Sequence, residues 1–209
     1  MWQFFVKGGV VMIPLALCSL TALTIIIERA LFYYRANRWE EREIKLLKVY
    51  LGQGKLEEAK AVTNGWDSAL GRVAAVIVQF WGQPRERMEK AAEAAGYAEL
   101  QRFQRGLAVL DTIVTASPLL GLLGTVTGII RAFGALSVVT QNQAERLSAG
   151  IAEALYTTAF GLCIAVPVLF CVNFFYKVVE KQAQKLTFEA EEIMAIMQQS
   201  SGESHETSN

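Results

Sequence analysis

Apolar residues along this chain are gathered into blocks separated by charge. One uncharged run extends from about Gly8 to Ile27, bounded by Lys7 and Glu28. A second runs from about Leu107 to Leu136, with an uncharged centre from Thr112 to Ile130. A third, from about Leu147 to Tyr176, is interrupted only by Glu153. Each is long enough, at about 20 residues or more, to cross a hydrocarbon layer of roughly 30 Å. A further apolar patch, Val73 to Trp81, is too short to span and has charged neighbours, so it predicts the buried face of a soluble helix.

The segments between the runs read as helices. Trp39–Leu51 carries mixed charge with apolar Ile44, Leu47 and Leu51, and Gly52 and Gly54 break it. A short helix, Leu56–Val62, stops at Asn64-Gly65. Asp67 or Ser68 caps the next, which ends near Gly82, and Pro84 fits the first turn of another. With no breaker from Arg85 to Gly106, that helix is expected to run into the second span as one rod. The third span is expected to continue through Lys177 to Met197, followed by a polar, disordered tail from Ser200. The fold class is therefore an all-α integral membrane protein, with three transmembrane helices and long cytoplasmic helical extensions. Its divisions are 1–28 (N-terminal segment and first span), 29–105 (cytoplasmic helical domain), 106–136 (second span), 137–146 (outer loop), 147–177 (third span) and 178–209 (cytoplasmic helix and tail).

Charge sets the orientation. Fourteen Lys/Arg lie from Arg29 to Arg105, and Lys177, Lys181 and Lys185 follow the third span. Only Lys7 precedes the first, and only Arg131 and Arg146 flank the turn near Val138–Glu145. Positive residues stay inside, so the middle segment and C-terminus are expected in the cytoplasm and the N-terminus outside. The first run is too long for a signal-peptide core and lacks a small-residue cleavage site, which predicts a retained helix. The chain is 53% hydrophobic with a formal net charge of zero, which gives no pointer to nucleic acid. Its cysteines, Cys18, Cys163 and Cys171, lie in apolar runs without metal-ligand spacing and read as small buried hydrophobes. The only histidine, His205, is in the polar tail. With no nucleophile–base pair, phosphate loop, cofactor motif or metal set, the chain does not read as an enzyme.

The second and third runs are more polar than simple anchors. Gly121, Gly124 and Gly128 recur at spacings of three and four, near one helix face where another backbone can approach. With Ala159 and Gly161 of the third span they predict close contacts between subunits. Thr112, Thr115, Thr125 and Thr127 add hydroxyls, and Pro118 frees a carbonyl near Val114. Glu153 is the outstanding residue. A carboxylate at the centre of a span costs on the order of 2.5 kcal/mol or more, and Glu153 sits roughly 9 Å from the outer boundary, counting about 1.5 Å per residue from Leu147. Two readings stand: a structural one, in which Glu153 pairs with Arg146 or caps an intersubunit contact, and one in which it moves ions. Thr157 lies about 40° round the helix from Glu153 and Thr158 about 140° away, so only Thr157 shares its face. Asp111 and Glu28 sit at interfacial positions, Asp111 solvated or paired with Arg105 and Glu28 beside Arg29.

Two of these segments carry a recognisable pattern. SPLLGLLGTVTGII, from Ser117, resembles the APLLGLLGTVxGM signature of the MotA/TolQ/ExbB family, with serine in place of alanine. GIAEALYTTAFGLCIAVP, from Gly150 to Pro167, resembles that family's third-helix signature GIxEALxxTAxGLxxAIP. Three spans, rather than the four of the MotA branch, favour the ExbB/TolQ branch. The resemblance implies a bacterial inner-membrane stator or channel subunit, assembled as a homopentamer. Its pore would hold two copies of a single-span, aspartate-bearing partner of the ExbD/TolR type, and a TonB-like or other envelope protein would receive the work. It maps the family's pore-lining polar residues onto Glu153, Thr158 and Thr125, with an otherwise apolar interior from residues such as Ile164 and Val168. Counting places Thr125 and Thr158 each about 11 residues from the outer end of its span, hence at one level. Other readings are an autonomous ion channel or small-solute transporter, for which three spans show no inverted repeat, and a structural scaffold, which would not need Glu153.

Overall fold

The computed structural model describes residues 9–36, 41–134 and 143–206, and every element among them is an α-helix. In chain order these are α1 (Met12–Ala36), α2 (Glu41–Gly52), α3 (Leu56–Asn64), α4 (Ala69–Gln79), α5 (Arg85–Gln104), α6 (Leu107–Gly134) and α7 (Gln143–Glu206). Three stretches are long and apolar enough to cross a membrane: Met12–Ala36, Arg85–Gly134 and Gln143–Ser200. The described residues divide into two compact units, one within 1–30 and 106–175, the other within 31–105 and 176–209.

The first unit is built from α1, α6 and the first part of α7. Its outward faces are apolar: Leu17, Leu20 and Leu23 on α1, Leu119, Leu122 and Ile130 on α6, and Leu155, Phe170 and Phe174 on α7 are all exposed. Such side chains suit lipid, where an outward leucine carries no penalty. The same reason explains why Cys163 is exposed and Cys18 and Cys171 are only half-buried, where the sequence reading buried all three. Helix α1 begins at Met12, after a turn in which Gly9 takes φ 67° and its carbonyl accepts from the Met12 N–H at 3.2 Å. Pro14 falls within the first helical turn, where its missing N–H costs no intrahelical bond. Helix α7 starts at Gln143, so Gln143–Glu145 are helical rather than part of the expected outer loop; Lys7, Gly8 and Gln141 lie outside the described residues.

The second unit packs α2–α5 with the later part of α7. Leu47, Leu51, Leu70, Val73, Ile77 and Ile193 are almost completely buried there, each contributing about 1.5–3 kcal/mol relative to an exposed side chain. The short apolar patch forms the inner face of α4, as its length predicts. Ser68 caps α4, its Oγ accepting from the Gly71 N–H at 3.0 Å. Pro84 sits one position before the first turn of α5, and its carbonyl accepts from Arg87 and Met88. Buried Glu99 of α5 takes two hydrogen bonds from Arg72 of α4, at 2.8 and 2.7 Å, and one from Arg102 at 2.9 Å. Those bonds to Glu99 hold the Arg72 guanidinium above its ordinary value, outweighing its partial burial.

Two expectations fail at helix ends. The rod predicted through Gly106 is broken: Arg105 has ψ 130° and Gly106 takes φ 81°, a left-handed conformation that ends α5 before α6 begins. A glycine in a charged sequence gave no separate sign of this. At the other end α7 continues to Glu206, past Ser200 where a disordered tail was expected; lengthening an existing helix needs no new nucleus.

Candidate functional site

Glycine spacing on α6 builds a seam with α7. A Cβ added at Gly121 would lie 3.0 Å from the Thr158 Cα, and one at Gly128 2.9 Å from the Ala154 Cβ. One at Gly124 would overlap the Thr157 side chain. From the other side, a Cβ added at Gly161 would lie 2.5 Å from the Ser117 carbonyl oxygen, and one at Gly150 2.7 Å from the Ala132 Cβ. The pairs 117–161, 121–158, 128–154 and 132–150 run in opposite directions, so the two helices are antiparallel and nearly backbone to backbone. Gly121, Gly124 and Gly128 are buried by this contact within a single chain. The sequence reading placed these contacts between subunits; the glycine face is instead used up inside one subunit. Ile164 and Val168, expected to wall a pore, are also buried within the chain, at 8% and 5% exposure.

The seam decides what each hydroxyl does. Thr112, Thr115 and Thr127 return theirs to carbonyls three or four residues earlier on α6, as hydroxyls in membrane helices do. Thr157, fully buried, donates to the Ala154 carbonyl at 2.7 Å. Among the described hydroxyls, only Thr125 and Thr158 reach across. Their hydroxyls are hydrogen-bonded to each other, Thr158 donates to the Gly121 carbonyl at 3.0 Å, and Thr125 lies 3.4 Å from the Ala154 carbonyl. Both are half-buried. Counting residues from the span ends put this pair at one level, and there the two side chains meet. Thr157 shares the Glu153 face by helical angle, but the close approach of Gly124 seals its side chain in the seam. The Ser117 hydroxyl, at the family's alanine position, is fully buried without a partner among the described residues.

Glu153 stands about one turn from this pair along α7, towards the outer end expected for that span. Arg131 of α6 donates from Nη1 to Glu153 Oε1 at 2.8 Å. Their side chains are 51% and 26% exposed, so the pair is open on one side. The Gly9 backbone abuts both: a Cβ there would meet Glu153 Oε1 and lie 3.2 Å from Arg131 Nη1. Among the described residues the cation on Glu153 is Arg131; the Arg146 side chain, the partner weighed from sequence, lies outside those described. In the sequence Arg131 stands out only as a charge near the outer turn. Its depth was a usable signal, since it lies five residues before the end of its span and Glu153 six after the start of the next. For Gly9 there was none. Among the described residues no group of His, Cys, Asp and Glu is placed to hold a metal ion.

Comparison with known proteins converges on one family. Residues 62–187 match the profile of the MotA/TolQ/ExbB proton channel family. An ExbB-like biopolymer transport protein of Synechocystis sp. is 34% identical over 187 residues, covering 88% of this chain and 72% of that protein. A second from the same organism is 36% identical over 171 residues, covering 80% and 81%. The Tol-Pal system protein TolQ of Pseudomonas aeruginosa is 29% identical over 212 residues, covering 94% and 92%.

Proposed function

This chain belongs to the MotA/TolQ/ExbB proton channel family, and on that premise we propose that it forms the ring of an ExbB/TolQ-like motor, in which proton flow drives work in the cell envelope. The coarser placement is direct: an inner-membrane, stator-like subunit of an envelope energy-transducing system, from a family of proton channels rather than enzymes. The finer reading is five copies around two single-span, aspartate-bearing partners of the ExbD/TolR type, with a TonB-like or other envelope protein receiving the motion.

One observation carries it. Glu153 is an acid inside a span, held on one oxygen by Arg131 and half-open on the other side, with the Thr125–Thr158 pair a turn away. In this reading Glu153 and the two threonines are the polar steps of the path, with Thr157 behind them. The described spans hold no chain of carboxylates and no histidine, so the subunit does not build a relay by itself. The second acid comes from the partner, and the apolar remainder of the ring interior blocks leak when the partner is absent. The test is proton flux into vesicles holding the purified ring, with and without the co-purified partner. Flux is expected only with the partner; equal flux from the subunit alone would sink the partner-dependent mechanism and favour an autonomous channel.

Orientation is tested separately. With the N-terminus periplasmic and the C-terminus cytoplasmic, a cysteine at Gln141 should react with an impermeant thiol reagent in spheroplasts. One at Asn64 should react only after lysis. Labelling of position 64 in intact spheroplasts would reverse the topology.

A further inference from the structure

We infer that successive copies of the chain dock head to tail through their charged units, with α2 of one copy seated in a groove between α5 and α7 of the next. This rests on the ring reading above and assigns surfaces to it. The groove is a cavity of about 620 Å³ in the second unit. Its floor is small or apolar, with Ala92 and Gly96 from α5 and Leu186, Ala190 and Met194 from α7. Nothing lies within 4 Å of a Cβ added at Gly96, so the floor is open to an approaching helix. On the rim Arg85 is paired with Glu89, but Glu93 and Glu191 have no partner among the described residues. The groove is therefore an apolar trough with two uncompensated carboxylates.

Helix α2 has the complementary surface. Ile44, Leu47 and Leu51 face its own core, and Leu46 and Val49 face outward at 40% and 52% exposure. At about 100° per residue, Arg42, Leu46 and Val49 fall within an arc of roughly 60°, flanked by Lys45. Arg42 and Lys45 are exposed and unpaired among the described residues. This is a short apolar stripe edged with positive charge, suited to an apolar trough edged with negative charge.

The chain does not fill its own groove, for a geometric reason. Helix α2 is tied to α7 through Lys48, whose Nζ lies 2.7 Å from Glu189 and 2.8 Å from Glu192. Burial pulls the Lys48 ammonium down, but hydrogen bonds and charge from Glu189 and Glu192 outweigh it and hold Lys48 above its ordinary value. The groove uses Ala183, Thr187 and Glu191 of the same helix. At about 100° per residue these two sets leave α7 on roughly opposite flanks. Stripe and groove thus sit on opposite sides of one unit, the arrangement of a heterologous contact that closes into a ring when the rotation permits.

The experiment uses the full chain in membranes, with Cys18, Cys163 and Cys171 replaced by alanine and cysteines placed as Val49→Cys and Tyr97→Cys. Tyr97 lines the groove and is 66% exposed, so its replacement leaves the core intact. Mild oxidation of the double variant should give a ladder from dimer to closed ring, and each single variant should stay largely unlinked. Arg42→Glu with Lys45→Glu should cut the ladder several-fold, and adding Glu93→Lys with Glu191→Lys should restore it. Native mass is read in parallel. A ring of full mass without the ladder would overturn the docking and leave the ring reading standing, whereas a monomeric mass would overturn both. Linkage of Tyr97→Cys to a different protein would show that the groove receives another partner and not a copy.

Discussion

Replacing Gly124 with leucine is expected to leave little intact protein after mild heating in detergent, and no assembled oligomer. A Cβ at this position already overlaps the Thr157 side chain, lying 2.6 Å from the Thr157 Cβ. Leucine adds three more carbons. Thr157 has no free direction to take, since it is fully buried and held by the Ala154 carbonyl. Overpacking of a close-packed site typically costs about 1–3 kcal/mol, and here the obstruction parts two helices that touch nearly backbone to backbone. Gly134→Leu is the control, because nothing lies within 4 Å of a Cβ at Gly134. Size-exclusion profiles after a temperature series should show Gly134→Leu behaving as the wild type and Gly124→Leu lost at every step. A stable, monodisperse Gly124→Leu monomer would instead return Gly124 to an intersubunit surface, and wild-type survival would contradict the tight seam.

Glu153→Gln should assemble normally and yet lose proton-driven output by about two orders of magnitude, the range usual for removing a positioned proton-transferring group. Glutamine keeps the shape and a hydrogen-bond acceptor for Arg131, so the 2.8 Å contact is retained in form without its charge. Thr158→Val, which removes one side of the hydroxyl pair, should lower output only a few-fold. The competing reading makes the Glu153–Arg131 pair a latch between α6 and α7. The two readings separate in the companion variant Arg131→Gln. If the pair is a latch, both substitutions should lower thermal survival by similar amounts and output only in step with it. If Glu153 carries the path, Glu153→Gln should lower output at unchanged thermal survival, and the loss should exceed that from Arg131→Gln. Energised-uptake assays on complexes of verified mass make the comparison. A Glu153→Gln complex that works normally would assign Glu153 to structure.

The parts of the fold that follow from transfer out of water were legible from the order of apolar and charged residues along the chain. Three charge-poor runs became the three long apolar helices, and the short patch at Val73 became the buried face of α4. The depth of Thr125 and Thr158 was legible because helical rise is constant, so counting from the span ends brought the two hydroxyls together. The partner of a surface was harder to read. Glycine spacing announces a close approach, but the same spacing serves a helix of the same chain or of another, and here it served α7. Arg131 beside Glu153 was hard to read for a similar reason: sequence separation points to a residue on the same helix, and antiparallel packing brings up one from the neighbouring helix. The break at Gly106 depends on one backbone angle, which a glycine permits but does not announce.

The glycine seam also sets how this chain answers to temperature. Parting α6 from α7 in lipid exchanges contacts with protein for contacts with acyl chains and wets almost no apolar surface, so it carries little change in heat capacity. Opening the charged unit exposes Leu47, Leu70, Val73 and Ile77 to water, and that carries a large positive one. The hydrophobic part of that unit's stability therefore weakens on cooling, and the seam, held by the shapes of small residues, does not share the loss.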